Sequence, residues 1–292
     1  MATENGILLF AYNNESIKYT ELAKLCTLLV KKHLPHCGVT LVTDKNIDEG
    51  HPFDDVIIVE AGDSGHRTFR IPNGKTEEVT WHNKTRPHAY DLTPYEKTLL
   101  LDVDYLMFNN SLQWLFESDQ ELICHNNVYD ITGKNSFIDD KLLHWSSTPM
   151  LWATVLYFTK NNTAKEFFNL VKLVRDNYQY YYNLYNFRSG PYRNDYAISI
   201  AYNLLNCNSY FQSPLFTLPS ESTLTRVKPD TSVIYEYENK NKIEVSYITN
   251  TNIHIMNKHS IINCAKEILD YVFQPVISNQ KTHVTYEKNQ GT

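Results

Sequence analysis

Several things are scarce in this chain, and each scarcity removes a class of protein. Glycine is rare, 9 residues in 292. Neither a Gly-x-Gly-x-x-Gly fingerprint nor a P-loop occurs, which disfavours a Rossmann dehydrogenase and a P-loop kinase. The five cysteines (Cys26, Cys37, Cys124, Cys207 and Cys264) are odd in number, widely spaced and without a Cys-x-x-Cys pair. That excludes a disulfide frame and a zinc ribbon and leaves reduced core thiols. No long run of Lys and Arg exists and the net charge is −6, so no basic field for nucleic acid is expected, although a local patch stays open. Long apolar runs are also missing. Residues 1–5 are polar and the run that follows spans only residues 7–11, too short for a signal-peptide core or a membrane span. A soluble cytoplasmic protein is expected, and the Asn-x-Ser/Thr triplets at Asn14, Asn83, Asn109 and Asn161 then carry no glycosylation message.

What is present is ordinary globular material, 42% hydrophobic and 21% charged, enough for one large α/β domain or two small ones. Residues 6–11 read as a buried strand. Leu22, Leu25, Cys26, Leu28 and Leu29 recur at helical spacing up to His33, and residues 39–42 and 55–59 read as two further strands. Strand, helix, strand in this order is a βαβ unit, in which ligands bind beyond the carboxyl ends of the strands, at residues 11–13. Residues 60–80 are polar with Gly62, Gly65, Pro72 and Gly74 as breakers, the longest irregular stretch and a candidate lid.

The centre of the chain is residues 95–108. An apolar strand, residues 98–101, breaks at Asp102-Val103-Asp104 before Tyr105 resumes the apolar pattern. In a strand, residues two apart point the same way, which puts both carboxylates on one side and Val103 on the other. A hard divalent cation, Mg2+ or Mn2+, would compensate their repulsion and take phosphate oxygens in its remaining positions. A bare Asp-x-Asp reads first as a solvated strand end.

The whole segment 86–104 resembles the signature of glycosyltransferases of the GT-A fold, particularly the glycogenin-like family that includes galactinol synthases and lipopolysaccharide glycosyltransferases. There a basic residue opens a short helix, a Leu-Thr/Ser-x-Tyr turn follows, and an apolar strand ends in Asp-x-Asp. Arg86 stands where the family usually has Lys, with Lys84 two residues earlier as a substitute. The resemblance implies a single GT-A domain over residues 1–275, a mixed, mainly parallel sheet flanked by helices, and a polar tail at 276–292. It implies Asp102, Asp104 and His254 as metal ligands. It further implies Ala11, Tyr12, Asn13, Arg86, Asp102, Val103 and Lys258 as donor contacts, with Arg86 on the diphosphate or sugar and Lys258 neutralising the leaving diphosphate. The missing glycines separate the chain from sugar-1-phosphate nucleotidyltransferases, which have a similar sheet.

Later motifs match only in part. Residues 150–158 form a buried strand, but Trp152, Ala153 and Thr154 replace the family's Asn-Ser/Thr-Gly. Asp195 matches the family's Asp before a helix, while Tyr196 departs from its Gln. A helix N-cap is the plain reading of Asp195; a general base, in an inverting enzyme, is the functional one. Residues 250–258 approximate a His-x-x-Gly-x-x-Lys element. Tyr178, Tyr181, Tyr182 and Tyr185 make one aromatic face if residues 167–185 are a continuous helix, used for core or homodimer packing or for stacking an acceptor beside Arg188 and Arg193. Residues 130–143 are expected to be exposed, and a last helix to span residues 261–273.

The implied activity is transfer of a sugar from a nucleotide diphosphate donor, a UDP-sugar by family likeness, to a hydroxyl acceptor with retention. The acceptor is a glycan, a lipid-linked sugar or a modified nucleobase in phage DNA. The reading from another class is a non-catalytic nucleotide-sugar binding protein.

Overall fold

The computed structural model describes residues 4–60, 65–70, 76–81, 85–133, 142–143, 148–185, 192–239 and 242–274. Arg188, Lys84 and the tail at 276–292 therefore lie outside the described residues.

The chain opens as expected, with β1 (Asn5–Phe10), α1 (Tyr19–His33), β2 (Gly38–Thr43) and β3 (Asp55–Ile58). All six residues of β2 are buried and β1 is nearly so, the continuous apolar pattern of a parallel strand covered on both faces. On α1, Leu22, Leu25, Cys26 and Leu29 face inward at positions i, i+3, i+4 and i+7. Gly6 is required by packing: a Cβ there would stand 2.2 Å from the Tyr95 ring. That ring is held in turn by a 2.7 Å hydrogen bond between its hydroxyl and Thr40.

Residues 60–80 were expected to be irregular and are not wholly so, because β4 (Gly65–Arg70) and β5 (Thr76–Trp81) pair antiparallel as a hairpin. Pro72 and Gly74 lie outside the described residues. A short 3-10 helix (Arg86–His88) and α2 (Ala89–Leu92) then lead into β6 (Lys97–Leu101).

The remaining elements follow as β7 (Tyr105–Leu106), α3 (Trp114–Glu117), β8 (Leu122–His125), β9 (Val128–Asp130), β10 (Trp152–Thr159), α4 (Asn162–Asp176), α5 (Tyr178–Leu184) and α6 (Asn194–Leu204). After them come β11 (Leu215–Leu218), β12 (Ser222–Val227), β13 (Ser232–Asn239), β14 (Lys242–Thr249), β15 (Ile253–Ile255), α7 (Lys258–Asn263) and α8 (Ala265–Phe273).

A six-stranded sheet in the order β3-β2-β1-β6-β10-β8 forms the core. β1, β2, β3 and β6 run parallel and β10 runs antiparallel between β6 and β8. This is the mixed, mainly parallel sheet the sequence implies, flanked by helices: α1 packs against α7 and α8, and α4 against α6. Chain order reverses at β1, where β2 lies on one side and β6 on the other, and ligands bind at such a switch point in open α/β sheets. A second sheet, β7-β15-β11-β9, carries the chain after Asp104, and β12-β13-β14 form an antiparallel meander.

Three local expectations change. The aromatic helix is not continuous, since α4 ends at Asp176 and α5 begins at Tyr178; Tyr178 then packs edge-on against Tyr182 and Tyr192. The final helix is two helices joined at Cys264. Asp130, expected at the head of an exposed segment, is buried at the end of β9, where its carboxylate accepts hydrogen bonds from the Thr132 amide and hydroxyl. Among the described residues no helix is long and apolar enough to cross a membrane.

Candidate active site

β1 and β6 end side by side, with Leu9 opposite Leu101, so the residues that follow them emerge at one edge of the sheet. β10 begins at that edge, because its antiparallel register sets Val155 opposite Leu101. The edge opens into a cleft of about 430 Å³ lined by Tyr12, Tyr19, Asp102, Val103, Asp104, Trp152, Asp195, His254, Lys258 and their neighbours.

The acidic pair does not sit in the strand. β6 stops at Leu101, and Asp102 to Asp104 form a turn closed by the Tyr105 amide donating to the Asp102 carbonyl at 3.1 Å. The expected alternation, with Val103 on the opposite side, is therefore replaced by a turn in which Val103 also lines the cleft. The carboxylates still converge, because β7 pairs antiparallel with β15 and brings His254 opposite Tyr105. One ligand atom each from Asp102, Asp104 and His254 lie within 4.8 Å of one another.

Asp104 is 4% exposed. Burial alone would raise its carboxyl; Lys258, with Nζ 2.6 Å from Oδ2, and then His254, with Nε2 3.4 Å from the same oxygen, outweigh burial and hold it well below the ordinary carboxylate range. The same contact keeps Lys258 charged: burial works against the ammonium, and Asp104 raises it above its ordinary value. Lys258 owes its position to the first turn of α7, where the Asn257 side chain accepts from the Ser260 amide. Two carboxylates and an imidazole within reach of one another suit Mg2+ or Mn2+. A buried anion already needing a compensating cation is the feature that fits such an ion.

Asp195 also lines the cleft, as the second residue of α6, and does not cap that helix. Its Oδ1 accepts the Ala153 amide at 2.8 Å and its Oδ2 pairs with Arg193 at 2.8 Å. The Arg193 guanidinium lies 5.3 Å from the Trp152 ring centroid and 5.4 Å from that of Tyr196. Burial opposes its charge, and Asp195 followed by Tyr196 raise its pKa nonetheless.

Of the sequence-derived donor contacts, Tyr12, Asp102, Val103 and Lys258 line the cleft, and three do not. Ala11 is buried with its amide on the Val42 carbonyl. The Asn13 side chain is spent on the start of α1, accepting from the Thr20 amide at 3.0 Å and donating to the Thr20 hydroxyl at 3.1 Å. Arg86 is 3% exposed and turns inward, 2.7 Å from Asp102 Oδ1 and 2.5 Å from the Ala153 carbonyl. Expected to meet the diphosphate or sugar, it pairs instead with Asp102.

Tyr19, Phe10, Asn14 and Met256 line the cleft without having been singled out. Tyr19 is the first residue of α1, and its position right after the β1 loop was the one available signal. Burial raises the Tyr19 hydroxyl pKa, Lys258 lowers it, and Asp104 and Asp102 raise it further. Burial likewise lifts Tyr12 to about 12, against a hydrogen bond with Thr85.

No protein-family model and no curated protein matches the chain. Among solved structures it is similar to the glycosyltransferase GlyE of Streptococcus pneumoniae, 13% identical over 71% of this chain, with a TM-score of 0.44. This chain spans 45% of the length of that one. It is also similar to the galactosyltransferase LgtC in complex with donor and acceptor sugar analogs, 16% identical over 70% of this chain and 72% of that one, TM-score 0.45. A third is the mannosyltransferase PcManGT of Pyrobaculum calidifontis in complex with GDP-Man and Mn2+, 12% identical over 72% of this chain and 55% of that one, TM-score 0.36.

Proposed function

We propose that this chain is a metal-dependent glycosyltransferase of the GT-A class. It moves a sugar from a nucleotide diphosphate donor, a UDP-sugar by the resemblance of residues 86–104, onto a hydroxyl acceptor with retention of configuration. The observation that carries this reading is the convergence of Asp102, Asp104 and His254, from segments about 150 residues apart in sequence, beside Lys258 in one cleft at the switch point of the sheet.

Asp102, Asp104 and His254 would hold a divalent cation, which when bound supplies Lewis-acid charge to the diphosphate leaving group. Lys258 places a second positive charge on the same side, its ammonium 2.6 Å from Asp104 and donating to the Met256 carbonyl at 3.1 Å. Tyr12, Tyr19 and Trp152 give the cleft aromatic walls against which a nucleobase or sugar ring can stack. Asp195, in the same cleft, orients the sugar.

Retention is supported by the state of Asp195. One of its oxygens holds the Ala153 amide and the other holds Arg193, whereas an inverting mechanism asks a carboxylate to take a proton from the acceptor. The other two cleft carboxylates belong to the metal set. A nucleobase acceptor in DNA draws less support, since Arg193 is committed to Asp195. The Lys258–Asp104 pair favours a second reading, a nucleotide-sugar binding protein that works without metal, because the ammonium already neutralises the buried carboxylate.

The test is release of nucleoside diphosphate from a panel of nucleotide sugars with Mn2+, beside a variant carrying Asp102→Asn and Asp104→Asn. Slow, metal-dependent hydrolysis of one donor that the variant loses establishes the transferase and names the sugar. Donor binding that ignores metal, with no hydrolysis, establishes the binding protein.

A further inference from the structure

Arg86 stands behind the cleft, and its two terminal nitrogens point to different partners. Nη1 is 2.7 Å from Asp102 Oδ1, and Nη2 donates to the Ala153 carbonyl at 2.5 Å. Ala153 is gripped on its other side as well, because its amide donates to Asp195 Oδ1 at 2.8 Å. Asp102 is tied to the same short stretch through its own amide, which donates to the Thr154 carbonyl at 2.9 Å. The line runs from the Asp102 carboxylate, through a buried guanidinium and the backbone at the start of β10, to the Asp195 carboxylate and on to Arg193 above Trp152.

We infer that Arg86 is a positioning residue that fixes Asp102 for the metal and, through Ala153, fixes Asp195 for the sugar, so that the two carboxylates are set as one unit. This rests on the metal-dependent reading above. A planar guanidinium suits the task, since its fork holds two acceptors at a set angle, whereas an ammonium is a single point of charge. With Oδ1 held by Arg86, the carboxylate is oriented and its second oxygen is left for a ligand, the arrangement by which outer partners tune metal sites. The backbone at Trp152 to Thr154 departs from the Asn-Ser/Thr-Gly of the resembling family, and Ala153 serves here through its backbone groups alone.

The test uses the full chain and Mn2+ as the probe. Mn2+ affinity is measured by electron paramagnetic resonance titration without donor, followed by donor hydrolysis and by urea unfolding, for wild type, Arg86→Gln, Arg86→Lys, Asp195→Asn and the double variant Arg86→Lys/Asp195→Asn. The Gln variant is expected to weaken Mn2+ about 10- to 100-fold. The Lys variant keeps a charge beside Asp102 and guards against a chain that fails to fold; its Mn2+ affinity is expected within about threefold of wild type while donor hydrolysis drops roughly tenfold, because one nitrogen cannot serve both partners. Combined with Asp195→Asn, the Lys change should cost little more than Asp195→Asn alone, the non-additivity of groups acting through one another. A Gln variant binding Mn2+ as wild type does, or a Lys variant hydrolysing donor as wild type does, overturns the inference and leaves the glycosyltransferase standing. A wild type that binds no Mn2+ overturns the metal-dependent reading first and this inference with it.

Discussion

Asp104 shows how one side chain can carry both stability and chemistry. It is the most buried carboxylate of the cleft, and its charge is compensated by Lys258 and His254 from the far end of the chain. Removing the partner of a buried charge costs more than the pair contributes, so Lys258→Ala is expected to lower stability by about 3 kcal/mol at neutral pH. Added Mn2+ should restore much of that loss, as read by urea unfolding with and without the ion. His125 makes a separate prediction away from the cleft. It is buried and stacked on Phe211 at 3.9 Å between centroids, and burial pushes its pKa down from 6.5 to about 3. The unfolded chain therefore takes up a proton below pH 6.5 that the folded chain refuses, and stability falls as pH drops from about 6.5 toward 3. Between pH 7.5 and pH 5 this group accounts for a loss of about 2 kcal/mol. A His125→Phe chain should show a pH dependence smaller by that amount in urea unfolding at the two pH values.

At the scale of the element, three helices, α1, α4 and α7, begin where a nearby Asn side chain holds an early amide. Asn161 caps α4 by accepting from the Ala164 amide at 2.9 Å, and Asn161→Ala should cost about 1 kcal/mol in thermal or urea unfolding. Asn13 does a similar service for α1 through Thr20. Asn13→Ala is expected to cost about 1 kcal/mol as well; its donor KM should stay close to that of wild type, whereas a direct donor contact would raise it severalfold. In the sheet, Gly6→Ala drives a methyl into the Tyr95 ring and should cost roughly 1–3 kcal/mol. These elements were readable because their causes are near in sequence. The break between α4 and α5 was less so: the apolar residues of α4 before Asn177 and the tyrosines after it both recur at helical spacing, and Tyr178 packs edge-on against Tyr192 where the second helix starts. β12, β13 and β14 were overlooked, although Val233, Tyr235 and Tyr237 alternate as a strand does.

For the whole molecule, the candidate site exists only when the last quarter of the chain returns to the first half, because β15 must lie beside β7 for His254 to meet Asp104. Metal binding should accordingly stabilise the entire fold. Mn2+ at 100 times its Kd is expected to add about 2.7 kcal/mol, seen as a rise of several degrees in Tm that a chelator reverses and that Asp104→Asn abolishes.

By itself the sequence determined the βαβ order of β1, α1, β2 and β3, the helical face of α1 and the acidic pair Asp102 and Asp104, to which the family resemblance added His254 as a candidate ligand. Each of these depends on periodicity, turn chemistry or the identity of a donor atom, which are properties of a few neighbouring residues. Only the tertiary structure decided that Arg86 faces Asp102 and Ala153 rather than the cleft, and that Asn13 is spent on Thr20. It alone decided, too, that Asp195 holds an amide of β10 and that Tyr19 and Trp152 are walls. A side chain's partner across a sheet edge is set by the packing of segments distant in sequence, and no spacing along one strand encodes which of them will lie opposite.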